Sequence, residues 1–325
     1  MENRDSVLIA SSSIDEPNFR NVAESLSKRG FEPLVYEADR VANGNVRLAV
    51  SLSEDGTVNV NYNSCSFGRD NIAAAWYRKP DCFDYKDSDK ATLLCKEREA
   101  RSLQAAVWSV IPEERWLNPP AQMEVLQEKI GQLALARAFG FSIPETMISN
   151  DWDSIKGVTD SSLIMKMQYG LLYRNNEAES LYTTILSHEK IEGLAKSVVP
   201  FPGIFQPYIK KAKEWRLTVV GEEAFAAAIY TDENAKDDWR KHQLGPGVRF
   251  SRESIRDDIK EQCINFIGHL GLKFGAFDFI EDEDGNMTYL EMNPNGQFMW
   301  LEQRLGLPIS SAITDELIKI ASSEA

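Results

Sequence analysis

Three oxygen-bearing side chains near the carboxyl end, Asp278, Glu291 and Asn293, fall on what the sequence predicts to be one β-hairpin. An apolar run and an alternating run flank Asp284-Gly285, which is a strong signal for a two-residue hairpin loop. With that loop, Asp278 faces Glu291 across the two strands. Two carboxylates side by side repel each other and destabilise a sheet, so the pattern indicates a bound cation.

Asn293 adds a third oxygen to this arrangement, because side-chain direction in a strand repeats every two residues and places Asn293 on the face of Glu291. Leu290 and Met292 are expected to point the other way, into apolar packing. Hard oxygen ligands of this kind suit Mg²⁺, which takes one or two carboxylates and completes its shell with water and phosphate oxygens. A solvated acidic hairpin, like the neighbouring run 281–284, stays open as the alternative.

Composition limits the classes of protein to consider. The chain has 325 residues, of which 43% are hydrophobic and 26% charged, enough for two or three packed subdomains. No apolar run reaches the ~18 residues of a spanning helix, and the first residues lack a secretory pattern. Four scattered cysteines predict a reducing, cytoplasmic location. The net charge of −14 opposes binding to nucleic acid or anionic membranes, so any phosphate site must be a local positive pocket.

The amino-terminal part reads as an α/β domain. A short strand at 6–10, a helix from 17 to 30 and a second strand at 33–36 give the strand-helix-strand rhythm of a parallel sheet. A long helix is predicted near 88–109. No Gly-x-Gly-x-x-Gly opens the first helix, so a standard dinucleotide fold is not expected. Asn118-Pro-Pro120 marks a predicted domain boundary.

Two lysines follow this boundary. Lys129 lies beside the apolar stripe of a helix predicted at 124–139, where it is either a snorkelling surface residue or a ligand-binding one. Lys166 interrupts the apolar strand 162–167, and an ammonium group among aliphatic neighbours is costly without an anionic partner. The sequence therefore predicts that Lys166 contacts phosphate.

A strand pair is predicted next, 203–209 with 214–220, joined by a lysine-rich turn. Glu214 and Arg216 share one face of the second strand by its two-residue period, so a structural ion pair between them stays open as an alternative to a ligand-binding role. The helix that follows is expected to be capped by Ser251.

This order of parts resembles the ATP-grasp ligases over residues 119–325. It resembles in particular the peptide-modifying ATP-grasp enzymes that make graspetides, the microviridin-type ribosomal peptides cross-linked through side chains. The segments that carry the resemblance are Trp76–Pro80, Asp238–Lys241, Phe274–Asp278, Leu290–Glu302 and Arg304–Ile309. The Glu-x-Asn signal at Glu291 is moderately specific for the superfamily, and Asn-Pro-Asn-Gly-Gln with Gly-Leu-Pro-Ile is more specific for this branch.

The resemblance implies an α/β, ATP-grasp fold with an N-terminal α/β pre-ATP-grasp domain at 1–118. The ATP-grasp domain would then cover 119–325 and contain a small lid subdomain at about 143–206.

The resemblance also implies roles for individual residues. Lys129 and Lys166 would hold ATP phosphates, and Asp278, Glu291 and Asn293 would be the Mg²⁺ ligands. Adenine would pair with an extended linker, which is matched here by Gln206, Tyr208 and Ile209. The ribose hydroxyls would bind an acid, which is matched by Glu214. Arg216 and Arg240 resemble the arginines that steady the γ-phosphate and the acyl phosphate, a task that suits planar guanidinium groups.

The function that the resemblance implies is an ADP-forming, ATP- and Mg²⁺-dependent peptide ligase. It would activate Asp or Glu side chains of a ribosomal precursor peptide, made of leader and core, and form macrocyclic ester or amide links. Two alternatives stay open: a ligase that adds a free amino acid to a small-molecule or protein carboxylate, of the glutathione-synthetase or ribosomal-protein glutamate-ligase type, and a nucleotide-binding regulator without turnover. The resemblance allows a homodimer. Four lysines are predicted to attract the acidic peptide: Lys210, Lys211, Lys213 and Lys241.

Two departures from the family pattern affect the predicted site. The segment after Lys166, residues 167–174, lacks the several glycines of a standard ATP-grasp phosphate loop. Phe277 stands before the metal aspartate where some relatives carry arginine, which leaves Arg240 as the predicted phosphate partner.

Overall fold

The protein is described by a computed structural model. It covers residues 6–80, 89–156, 158, 162–167, 171–174, 177–180, 183–187, 202–233, 235, 238–242 and 245–323. Parts of the predicted lid, including residues 168–170 of the segment after Lys166, and Cys82 lie outside the described residues.

The secondary structure contains both strands and helices. The strands are β1 (Ser6–Ser11), β2 (Glu32–Glu37), β3 (Leu48–Leu52), β4 (Val58–Tyr62), β5 (Cys65–Gly68), β6 (Ile72–Tyr77), β7 (Met147–Ser149), β8 (Leu163–Lys166), β9 (Leu171–Arg174), β10 (Glu177–Ser180), β11 (Thr184–Leu186), β12 (Gly203–Pro207), β13 (Lys211–Val220), β14 (Glu223–Thr231), β15 (Val248–Arg252), β16 (Phe274–Asp282) and β17 (Met287–Asn293). The helices are α1 (Glu16–Lys28), α2 (Ala38–Ala42), α3 (Lys90–Trp108), α4 (Pro120–Val125), α5 (Lys129–Ala138), α6 (Trp152–Lys156), α7 (Asp257–His269), α8 (Met299–Leu305) and α9 (Ile309–Ser322). Short 3-10 helices cover Ser13–Asp15, Glu113–Arg115 and Trp239–His242.

The amino-terminal strands confirm the predicted α/β class. β1 lies between β2 and β6, and both pairings are parallel. β3, β4 and β5 form a separate antiparallel meander. One hydrophobic core holds residues of β1, such as Val7 and Ile9, together with residues of α9, such as Ile313 and Leu317. The predicted division of the chain at residue 118 stays a prediction, because this core contains residues from both sides of it.

Two antiparallel sheets follow the amino-terminal part. A small sheet has the strand order β11-β8-β12-β7, and a larger one has the order β15-β14-β13-β16-β17. β12 and β13 therefore belong to different sheets, and the predicted pairing of 203–209 with 214–220 is wrong. Because β12 pairs with β8, the linker between the strands connects the two sheets rather than closing a hairpin.

The larger sheet separates an apolar core from the face that carries the charged residues. On β13, Trp215, Leu217 and Val219 pack into a core that also contains residues of α5 and α7. Glu214 and Arg216 alternate with them and project from the opposite face. Position 277 belongs to the core side, where the Phe277 ring is fully buried and stacks on Phe279 at 6.2 Å. Phe277 thus packs in the apolar core, at the position where the resemblance implies an arginine in some relatives.

Two predicted helix starts are wrong. The single helix predicted at 124–139 is interrupted, because α4 ends at Val125 and α5 begins at Lys129. Ser251 does not cap the next helix, since it lies within β15, and α7 begins at Asp257 after Arg256. In each case the hydrophobic periodicity of the sequence predicts a longer helix than the structure contains. Residues near the predicted start form a turn or a strand instead.

Candidate active site

The hairpin β16-β17 brings Asp278 opposite Glu291 and Ala276 opposite Asn293. The predicted pairing is therefore present, although the loop is not the two-residue turn that the sequence indicated. The amide of Asp282 donates to the carbonyl of Asn286 at 3.1 Å, so three residues form the loop, with Gly285 at φ +81°. The register then shifts by one residue between Asp278 and Phe279, because β17 carries a bulge.

The bulge at Leu290 changes which side chains of β17 face the core. Phe279 pairs with Tyr289, so Leu290 is the extra residue of the strand. Tyr289 and Met292 lie in the core cluster, and Leu290 lies outside it, which corrects its predicted inward orientation. The one-residue error in the loop and the one-residue bulge cancel, and Asp278 still faces Glu291.

Gln132 of α5, which sequence reasoning missed, anchors this strand. Its side-chain oxygen accepts hydrogen bonds from the hydroxyl of Tyr289 and the amide of Met292, both at 2.8 Å. Its side-chain nitrogen donates to the carbonyls of Met292 and Leu126, both at 2.7 Å. The buried amide therefore fixes Glu291, which lies between these anchored residues of β17.

Each of the two carboxylates has its own cation. Lys129 Nζ lies 2.6 Å from Glu291 Oε2, and Arg216 Nη1 lies 2.8 Å from Asp278 Oδ1. Lys129 is the first residue of α5, where the helix dipole already presents positive charge. A lysine at a helix N-terminus is unfavourable unless an anion lies nearby, and here the carboxylate of Glu291 is that anion.

Lys166 of β8 also contributes positive charge to Glu291. Burial lowers the pKa of Lys166, as do Lys129 and Arg240, while Glu291 and Asp278 oppose that shift. For Glu291, burial raises the pKa, but Lys129 and Lys166 outweigh it and bring the pKa to about 2. The positive charges of Lys129 and Lys166 thus hold Glu291 as a carboxylate.

Asp278 behaves differently from its neighbour. Burial raises its pKa, and the charge of Glu291 raises it further, while Arg216 opposes the shift. The electrostatics of the site therefore favour additional positive charge beside Asp278.

Arg240 is oriented by Asp238, a residue to which the sequence analysis assigned no role. Arg240 Nε donates to Asp238 Oδ1 at 2.8 Å, and Nη2 donates to Oδ2 at 3.0 Å. The Asp238 side chain is 2% exposed, whereas that of Arg240 is 49% exposed. The amide of Thr183 also donates to Asp238, at 3.2 Å. Asp238 therefore connects Arg240 to the segment that leads into β11 of the small sheet.

The predicted adenosine-binding residues lie on the linker between the two sheets and on the strands β12 and β13 that flank it. Gln206 of β12 is buried; its nitrogen donates to Thr146 Oγ1 at 2.9 Å, and its oxygen has no partner among the described residues. Tyr208 and Ile209 are half-buried and follow directly. Glu214 pairs with Lys211 rather than with Arg216, so the ion pair left open between Glu214 and Arg216 is not formed.

The predicted basic area is largely neutralised. Lys210 pairs with Glu283 at 2.9 Å, and Lys211 pairs with Glu214. Lys213 lies 3.5 Å from Glu281 and over the ring of Trp215. Three of the four lysines thus lie beside carboxylates, and their role in attracting the peptide stays a prediction.

The donor set fits Mg²⁺ bound together with phosphates. The described residues contain no group of three or more His, Cys, Asp or Glu side chains that could hold a metal. Two carboxylates and one amide are available, and such a partial set suits a hard cation that takes its remaining ligands from water and phosphate. Arg216 Nε is buried with no hydrogen-bond partner among the described residues. An unpartnered guanidinium nitrogen beside paired carboxylates is consistent with a site completed by an anionic ligand.

Comparison with solved structures covers nearly the whole chain. A RiPP-associated ATP-grasp ligase from Chryseobacterium gregarium, in complex with ADP and a leader and core peptide, is 24% identical, with a TM-score of 0.84 and 97% of each chain covered. Macrocyclase MdnC from Microcystis aeruginosa MRC, bound with precursor peptide MdnA, is 25% identical, with a TM-score of 0.83 over 96% of this chain and 99% of that one. Macrocyclase MdnB from the same organism is 28% identical, with a TM-score of 0.75 over 97% and 99%.

The chain is similar to RiPP-associated ATP-grasp ligases over nearly its whole length and shares their fold. No family model matches the sequence. A curated mouse protein, N-acetylaspartylglutamate synthase A, is 26% identical over 116 residues, which span 35% of this chain and 30% of that protein. The predicted ATP-grasp fold of this ligase is confirmed, and the site residues named above stay predictions about individual roles. No helix in the described part of the ligase combines the length and apolarity that a membrane crossing requires.

Proposed function

We propose that this ATP-grasp ligase activates Asp or Glu side chains of a ribosomally made precursor peptide and cross-links them as esters or amides. The observation that carries the proposal is the near full-length likeness to MdnC and MdnB, macrocyclases at 25% and 28% identity. The paired carboxylates and surrounding cations described above support it. The peptide is the partner, ATP is the co-substrate, and the cytoplasm, where ATP is plentiful, is the proposed location.

The proposed reaction has two steps. A carboxylate oxygen of the peptide attacks the γ-phosphorus of ATP, the bond to the bridging oxygen breaks, and ADP leaves. A hydroxyl or amine of the same peptide then attacks the acyl carbon, loses its proton, and releases phosphate. The peptide loses one water for each bond formed.

In this scheme the residues of the chain position and neutralise charge. Lys129 and Lys166 hold phosphate oxygens, and Asp278, Glu291 and Asn293 would hold Mg²⁺, which supplies further charge neutralisation for phosphoryl transfer. The fixed dipoles and charges need little reorganisation during the reaction.

Two arginines complete the charge compensation near the paired carboxylates. Arg216 and Arg240 face the negative charge that spreads over the transferred phosphoryl group and the acyl phosphate. Arg240 is suited to this task because Asp238 fixes its guanidinium plane while half of the side chain stays exposed. Gln206, Tyr208, Ile209 and Glu214 line the proposed adenosine site.

The proposed domain division is the one that the resemblance implies. The pre-ATP-grasp domain covers 1–118 and the ATP-grasp domain 119–325, with the lid at about 143–206. Lys166 and Gln206 lie on the small sheet of the lid, whereas the carboxylates lie on the larger sheet. The nucleotide would therefore bind between the two sheets.

Mass spectrometry with an ADP assay tests the proposal. The full chain is incubated with ATP, Mg²⁺ and an Asp/Glu- and Thr/Lys-rich peptide encoded beside its gene. The expected result is loss of one water per bond with one ADP released, and no reaction by the Glu291→Gln variant. The Glu283→Gln variant, changed at the exposed hairpin loop, serves as the matched control and should react normally.

A second candidate is a ligase that adds a free amino acid to a carboxylate. The partial match to N-acetylaspartylglutamate synthase A favours it. In that case the product gains mass and its formation requires added amino acid. ATP binding without any substrate-dependent ADP release would contradict both ligase functions and support a regulator.

A further inference from the structure

Arg78 is a fully buried cation that the proposed reaction does not use. It follows β6 in the amino-terminal part and is 1% exposed. Its Nε donates to Asp15 Oδ2 at 2.9 Å, and its guanidinium lies 5.4 Å from the centre of the Phe298 ring. A buried guanidinium is costly unless most of its donors are satisfied, so the remaining partners of Arg78 identify its task.

Those partners are three consecutive residues after β17. Arg78 Nη1 donates to the carbonyl and side-chain oxygens of Asn295 at 3.3 and 3.2 Å, and to the carbonyl of Gly296 at 3.1 Å. Nη2 donates to Gln297 Oε1. One arginine from the amino-terminal sheet therefore holds the whole loop 295–297.

This loop is joined directly to Asn293. The amide of Asn295 donates to Asn293 Oδ1 at 2.8 Å, which fixes the direction of that side chain. An amide oxygen has two lone pairs, so Asn293 Oδ1 keeps one for another ligand.

Two further contacts restrict the loop. Asn118 Nδ2 donates to the carbonyl of Pro294 at 2.8 Å. Gly296 packs so closely on β16 that a Cβ atom there would lie 2.4 Å from the Cβ of Ala276. The loop therefore has little room to move, and the contacts of Arg78, together with these two, hold it beside Asn293.

We propose that Arg78 is a positioning residue for the Mg²⁺ site, acting through Asn295 on the side-chain oxygen of Asn293. The inference rests on the proposed function, because it takes Asn293 to be a metal ligand. The contact joins the segments Trp76–Pro80 and Leu290–Glu302, because Arg78 of the first binds the loop of the second.

The test measures metal binding rather than turnover. Mn²⁺ replaces Mg²⁺, and its binding to the full chain with a non-hydrolysable ATP analogue is followed by electron paramagnetic resonance. Changes in residues that orient metal ligands typically weaken binding about 10- to 100-fold. We expect at least a tenfold loss of Mn²⁺ affinity in Arg78→Lys and a smaller loss in Asn295→Ala. The second variant keeps the buried ion pair with Asp15 and thus tests the proposal even if the first does not fold.

Leu26→Ala is the matched control. Leu26 is fully buried in the core shared by the amino-terminal sheet and α9, so its truncation lowers stability without touching the loop. It should lower the melting temperature and leave Mn²⁺ affinity unchanged. A purely structural role for Arg78 would make Arg78→Lys behave in the same way, which would overturn the proposal.

The Asn293→Ala variant distinguishes an error in the proposed metal site from an error in the positioning role of Arg78. If it leaves Mn²⁺ affinity unchanged, the proposed metal site itself is wrong. If it weakens binding while Arg78→Lys and Asn295→Ala bind normally, the metal site stands and the positioning role of Arg78 is refuted.

Discussion

The Asp278→Asn substitution separates the stability of the site from its function. In the unliganded protein, Asp278 repels Glu291 and attracts Arg216. Cross-strand side chains about 5 Å apart repel by about 3 kcal/mol at an effective dielectric constant of about 20. The charged hydrogen bond from Arg216, at 2.8 Å, contributes about 1.5–3 kcal/mol in the opposite direction. The substitution therefore removes two terms that nearly cancel.

We expect the melting temperature of unliganded Asp278→Asn to stay within about 2 °C of the parent, since a net change of about 1 kcal/mol shifts a large domain by no more than a few degrees. Ligand binding should change much more. A ligand at about 100 times its Kd stabilises the folded state by about 2.7 kcal/mol. The Asp278→Asn variant should lose this stabilisation because it lacks one of the proposed metal ligands.

The assay is thermal unfolding with and without Mg²⁺ and a non-hydrolysable ATP analogue. Glu283→Gln, in the exposed loop of the same hairpin, is the control and should keep both the melting temperature and the ligand-induced shift. The reasoning is refuted if Asp278→Asn unfolds far below the parent yet retains the full shift, because Asp278 would then be a structural residue.

Three further substitutions test the surrounding contacts. Lys129→Met should weaken binding of the ATP analogue at least about tenfold in calorimetry, because Lys129 is the cation nearest Glu291; unchanged affinity would exclude a phosphate contact. Asp238→Asn should lower the rate of peptide-dependent ADP release with little effect on ATP affinity, since it frees Arg240 from its carboxylate; a normal rate would show that Arg240 needs no such orientation. Gly296→Ala should cost about 1–3 kcal/mol in denaturant unfolding, because the new Cβ would clash with Ala276; unchanged stability would mean that the loop can shift.

The site could be predicted from sequence where strand periodicity controlled it. The two-residue period of β13 placed Glu214 and Arg216 on one face, and the structure agrees, because the alternate residues Trp215 and Leu217 lie in the core. The predicted loop was one residue too short, and only the bulge at Leu290 restored the pairing. That bulge depends on the burial of Tyr289 and on its hydrogen bond to Gln132, a contact between elements 157 residues apart that no local pattern reveals.

Residues that act through other residues were the ones that sequence reasoning missed. Gln132 and Arg78 hydrogen-bond from distant parts of the chain to neighbours of Glu291 and Asn293. Asp238 holds Arg240 from only two residues away. Asn118 appeared only as part of a boundary signal, yet its side chain makes four hydrogen bonds that join 273–274 and 294. A proline-rich neighbourhood predicts the end of an element but says nothing of such tertiary contacts.

The most direct measurement of the central claim is a crystal of the full chain grown with Mn²⁺ and a non-hydrolysable ATP analogue, examined by anomalous scattering. We expect an anomalous peak within bonding distance of Asp278, Glu291 and Asn293, with Lys129 and Lys166 on the phosphates. A peak elsewhere, with Glu291 still paired to Lys129 and no phosphate nearby, would contradict it.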